Sequence, residues 1–146
     1  MKRFILLLCS VLLVACATTP AATTGSLAEQ LGADERGMRS YVLVILKTGP
    51  YTPASEQESS TLFAGHFANI ERLANEGHLL VAGPLGENDN AYRGIFVIST
   101  ASIDEARALV ATDPTVAAGV FTVEAYRLYS SAALMQIPEL HRQITE

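Results

Sequence analysis

The order in which the spacing of apolar residues changes along the chain is the tightest constraint on its fold. Tyr41 to Leu46 (YVLVIL) is an unbroken aliphatic and aromatic run, the pattern of a strand covered on both faces. Lys47-Thr48-Gly49-Pro50 ends it, and a polar loop is expected to about Ser60. From Thr61 to Glu76 the spacing becomes helical. Leu62, Phe63, Phe67, Ile70, Leu73 and Ala74 fall within an arc of about 140°, and Gly77 stops the helix. His78–Ala82 and Gly94–Ser99 read as two further strands. Gly83-Pro84 turns the chain after the first of them, and a loop from Leu85 to Tyr92 joins the two. Ser102-Ile103-Asp104-Glu105 is a capping box that opens a second helix to about Thr112. Asp113-Pro114 closes it, and Val120 to Leu128 alternates as a fourth strand.

The order βαββαβ predicts a ferredoxin-like α+β domain over residues 41–130, with both helices on one face of a four-stranded antiparallel sheet. The first and third strands are apolar on both sides, so the second face needs cover. A second copy packed sheet to sheet is the simplest cover, and a homodimer is expected. At 49% hydrophobic and 17% charged residues, the chain is too apolar for intrinsic disorder. Ten Lys and Arg against 15 Asp and Glu argue against nucleic acid as a partner.

The N-terminus has its own logic. Lys2 and Arg3 precede an apolar run from Phe4 to Ala17 broken only by Ser10, shorter than the roughly 20 residues a membrane-spanning helix needs. Its basic start, short apolar core and small residues are those of an export signal. Leu13-Val14-Ala15-Cys16 resembles the lipobox of bacterial lipoproteins, which implies a signal peptide over residues 1–15 and a diacylated Cys16. Cleavage there leaves 8 basic against 15 acidic residues, a net charge of −7. Lipid rather than charge is then the link to the membrane, since two or three acyl chains make a lasting anchor where one does not. Ala17 rather than Asp follows the Cys, which by the same resemblance implies sorting to the outer membrane of the cell envelope. Residues 16–40 form the tether, with a short helix or loose stalk from Ser26 to Ser40, and residues 131–146 a C-terminal tail. Cys9 leaves with the signal and Cys16 carries lipid, which excludes cysteine catalysis in the mature domain.

Several motifs then point to one family. Tyr41–Pro50 (YVLVILKTGP), His66 in a helix ending Glu76-Gly77, Leu80–Pro84 (LVAGP), Arg93-Gly94 and Asp113–Val120 (DPTVAAGV) resemble the YCII-related (YciI-like) family. The resemblance spans Tyr41 to Leu128 and implies a dimeric α+β barrel. It also implies an acid–base pair in a pocket, made of a His on the first helix and an Asp, here His66 and Asp113. One kind of member is a dehydrochlorinase acting on a chlorinated hydroxyquinone. The lengthened segment Tyr51–Thr61 and the lipid anchor depart from the family pattern.

Residue by residue, two readings stand side by side. His66 lies inside the apolar arc, where its ring nitrogens need partners or a cavity; it is either a core histidine bonded to a carbonyl or a general acid–base. Asp113 is either a helix-end cap or the carboxylate that orients His66. Gly83 and Pro84 either turn the chain or let a ligand approach the backbone. Lys47 and Arg93 are either solvated charges or hold an anionic group. No metal site, phosphate loop or dinucleotide fingerprint is present in the sequence, and no cofactor is expected. The expectation is a cofactor-independent enzyme acting on a small polar organic molecule, with a non-catalytic dimeric ligand- or protein-binding module as the alternative.

Overall fold

A computed structural model describes residues 25–145 of the chain. The expected signal peptide, the lipidation site Cys16 and the tether as far as residue 24 lie outside the described residues. The elements are α1 (Leu27–Gln30), β1 (Met38–Thr48), α2 (Glu56–Asn75), β2 (Leu79–Pro84), β3 (Tyr92–Ile98), α3 (Ile103–Val110), α4 (Pro114–Ala117), β4 (Phe121–Ser131), a 3-10 turn (Ala132–Gln136) and α5 (Ile137–Thr145). The four strands form one sheet in the order β2-β3-β1-β4, and every neighbouring pair is antiparallel. This is the ferredoxin-like α+β arrangement that the element order predicts.

The boundaries differ from expectation where polar residues carry local structure. α2 begins five residues before Thr61, because Ser55 accepts from the Glu58 N–H and the Glu58 carboxylate accepts from the Ala54 N–H. These contacts satisfy helix-end donors that an apolar pattern does not reveal. β1 begins at Met38 rather than Tyr41, started by Asp34, whose Oδ1 accepts from the backbone of Arg36 and Met38. Gly83 and Pro84 lie within β2 rather than after it. The capping box at Ser102 is half made: Ser102 accepts from the Glu105 N–H, but the Glu105 carboxylate takes the Thr100 hydroxyl instead. Residues 131–146 are not a plain tail, since the 3-10 turn and α5 occupy 132–145.

The sheet has two unlike faces. On one, Val42, Val44, Leu46, Phe96 and Ile98 pack against Leu73 of α2 and Ala106 and Val110 of α3. On the other, Tyr41, Leu80 and Val97 form a smaller cluster that Leu134 and Met135 of the 3-10 turn help to cover. The chain's own C-terminal segment therefore shields one end of the second face. Leu43, Ile45 and Ile95 remain partly exposed, and Tyr126 is half exposed. At the far end of β1, Gly49 is required: a Cβ there would stand 2.1 Å from the Gly119 carbonyl oxygen. That close approach ties the end of β1 to the turn leading into β4, where the Gly49 N–H donates to Val120 O.

Candidate active site

His66 projects from the middle of α2 and Asp113 stands at the N-cap of α4. Nδ1 of His66 lies 2.6 Å from Oδ2 of Asp113, and the Asp113 side chain is fully buried. The cap and the pairing are not alternatives. Oδ1 accepts from the Thr115 N–H at 2.9 Å and from the Thr115 hydroxyl at 2.6 Å, leaving Oδ2 for the imidazole. Burial by itself would push the Asp113 carboxyl up. The hydrogen bonds from His66, the Thr115 hydroxyl and the Thr115 N–H outweigh it and hold the group below the ordinary carboxylate value.

Gly65 makes this meeting possible. A Cβ at Gly65 would stand 2.8 Å from Cγ of Pro114, so only glycine lets α4 sit this close to α2. A second tie runs between α2 and the end of α3. The Arg72 guanidinium donates to Asn69 Oδ1 and to the Thr112 hydroxyl, and Glu76 accepts from Arg72 on the exposed side.

The other edge of the imidazole looks into a pocket of about 410 Å³. Nε2 has no hydrogen-bond partner among the described residues, and it is not among their sealed, unpartnered polar atoms. Four phenyl rings surround the imidazole. It stacks on Phe96 at 6.1 Å between centroids, and Phe63, Phe67 and Phe121 present edges at 5.4 to 6.1 Å. Phe67 is 65% exposed and stands at the rim. Such a site, apolar with one or two convergent polar groups, is the common form of a small-molecule pocket.

Gly83, Pro84 and Arg93 all line this pocket. A Cβ at Gly83 would meet nothing within 4 Å, so packing does not demand glycine there. Arg93 arrives through an irregularity. Leu46 pairs with Gly94 and Lys47 with Tyr92, so Arg93 is an extra residue with no opposite number. A bulge of this kind turns a side chain to the other face, and Arg93 thereby joins Gly94 on the pocket side. Its Nε donates to Thr48 Oγ1 at 2.6 Å, and no carboxylate pairs with it among the described residues.

Lys47 is a correction. It lies on the opposite face of the sheet from the pocket, paired with Glu124 at 2.8 Å and set over the Tyr92 ring. Leu46 points into the core, so strand alternation sends its neighbour outward. Among the described residues no group of three or more His, Cys, Asp or Glu side chains could hold a metal ion. The sequence pattern assigns no part in the site to Thr115, Gly65 or the four phenylalanines. A glycine in the middle of a helical pattern was the available signal for one of them, since it costs about 1 kcal/mol against Ala and often marks a close approach.

Comparison with known proteins adds the family. No curated protein matches the chain. Among solved structures it is similar to 5-chloro-2-hydroxyhydroquinone dehydrochlorinase (TftG) from Burkholderia phenoliruptrix AC1100, in complex with 2,5-dihydroxybenzoquinone. The identity is 26% and the TM-score 0.42, over 60% of this chain and 92% of that one. The family model of the YCII-related domain matches residues 42–129, which hold most of the sheet, α2, α3 and the His66–Asp113 pair, and the chain belongs to the YCII-related domain family.

Proposed function

We propose that this protein is a cofactor-independent acid–base enzyme, held by a lipid on Cys16 in the bacterial cell envelope, in which His66 moves a proton on a small organic anion. The observation that carries the reading is the buried 2.6 Å contact of His66 Nδ1 with Asp113, made while Nε2 is left free at the pocket. With the proton on Nδ1, the lone pair of Nε2 accepts a proton from a substrate carbon or oxygen. The imidazolium so formed faces the Asp113 carboxylate, which stabilises its charge. Returning the proton to another atom isomerises the substrate; loss of a leaving group instead completes an elimination. Four phenyl rings favour an apolar, planar body over a wholly polar molecule. Arg93, turned inward and without a carboxylate partner, supplies a place for a carboxylate or enolate oxygen.

Phenylpyruvate is a suitable probe, because it joins a planar ring, a carboxylate and a removable carbon-bound proton. Its enol–keto conversion is followed by ultraviolet absorbance. The wild type should accelerate it, and His66→Ala should lose about 10²–10⁴-fold of that acceleration. Equal rates for wild type and His66→Ala would end the catalytic reading. The alternative, a binding module without chemistry, uses the same pocket; it predicts a benzoate-induced rise in melting temperature that survives His66→Ala.

Assembly as a homodimer through the second sheet face is supported by the exposure of Leu43, Ile45, Ile95 and Tyr126. The lipid anchor rests on the sequence around Cys16, and Cys16→Ser should release the protein from the membrane fraction.

A further inference from the structure

The Thr115 hydroxyl touches both members of the pair, although Thr115 is fully buried and does not line the pocket. Its Oγ1 lies 2.6 Å from Asp113 Oδ1 and 3.4 Å from His66 Nδ1. We propose that Thr115 is a positioning residue that selects the imidazole tautomer, keeping the proton on Nδ1 and the lone pair on Nε2. The inference deepens the acid–base reading and rests on it for its consequence in turnover, but not for its structural content.

Proton counting gives the reason. A hydroxyl has one proton, and in the short contact Thr115 donates it toward Asp113 Oδ1. Toward Nδ1 the hydroxyl can then only accept. Nδ1 thus faces two acceptors, Oδ2 at 2.6 Å and Oγ1 at 3.4 Å. An N–H at this corner satisfies both, whereas a bare lone pair would be repelled by both. The same hydroxyl, with the Thr115 N–H, occupies Oδ1 and so presents Oδ2 alone to the ring. Removing it frees the carboxylate to turn about its bond to Cβ and takes away one of the two acceptors at Nδ1.

The test compares Thr115→Val, which keeps the shape and loses the hydroxyl, with Thr115→Ser, which keeps it. Nitrogen-15 NMR of the imidazole in the full-length protein reads the tautomer directly. The wild type and Thr115→Ser should show one tautomer, with a slowly exchanging proton on Nδ1. Thr115→Val should show a mixture of tautomers, with kcat for phenylpyruvate lowered about 10-fold or more and KM within twofold of wild type. Thr115→Ala also lacks the hydroxyl and gives the same reading if the valine variant does not fold. A wild-type ring protonated on Nε2, or a Thr115→Val ring still held in the single Nδ1–H form, would overturn the proposal. The two readings fail separately. A tautomer shift in Thr115→Val with no His66-dependent turnover in the wild type would remove the enzyme and leave the positioning role. An unchanged tautomer with His66-dependent turnover would do the reverse.

Discussion

The two faces of the sheet each set a side-chain nitrogen against a carboxylate, at nearly the same distance. His66–Asp113 measures 2.6 Å and Lys47–Glu124 2.8 Å, yet the side chains of the first pair are 10% and 0% exposed and those of the second 34% and 31%. Distance alone would rank them together; environment separates them. In water a surface pair gains little, because solvent screens it and two long side chains must be ordered. In the interior each group has lost its hydration, so every remaining partner matters. Asp113 has three donors and a place in the backbone of α4, whereas Glu124 has Lys47 and the Tyr126 hydroxyl on an open face.

Asp113→Ala should break this comparison hardest. It removes a helix cap, worth about 1 kcal/mol, and leaves the buried Nδ1–H of His66 without its acceptor, worth about 1–3 kcal/mol more, read from urea unfolding. The pH dependence follows in sign. Asp113 titrates lower when folded than the value of about 3.9 expected of an unfolded Asp. Its contribution is therefore complete above that value and lost as pH falls through the lower folded one. Wild type and Asp113→Ala should converge in stability on acidification; a constant gap down to the lowest pH would contradict the buried, ionised carboxylate.

Gly65→Ala sharpens the same point without touching either charge. The added methyl meets Pro114 at 2.8 Å, and overpacking of this kind costs about 1–3 kcal/mol, partly offset by the roughly 1 kcal/mol gain in helix propensity. The net loss should be small, but α4 must shift, and the slowly exchanging His66 Nδ1–H should disappear. A retained resonance would mean that the pair does not depend on this approach. Lys47→Gln should have the smallest effect: no measurable change in urea midpoint at moderate salt, and no change in benzoate binding. Weakened benzoate binding would return Lys47 to the pocket.

Much of this was legible in one dimension. The helical arc that holds His66 with Leu73 and Ile70 says that the imidazole faces the sheet, because a helix repeats every 3.6 residues whatever surrounds it. Asp113 before Pro114 says that a helix ends there. Alternation from Leu46 sends Lys47 to the face away from the core, whatever its place near a strand end. Arg93 is different. Its inward turn depends on one extra residue in β3 relative to β1, and a bulge is a property of the pairing, not of either strand.

The sequence by itself determined the order of the four strands and the two helices between them, the family, the inward histidine and the lipobox-like start, because each depends on short-range spacing along the chain. Only the tertiary structure decided that Asp113 caps α4 and meets His66 at once, that Thr115 completes the pair, and that Arg93 rather than Lys47 shares the pocket. Those facts depend on how closely α2 and α4 approach and on the register of β1 with β3. Contacts between segments some 50 residues apart are set by packing, which no local spacing encodes.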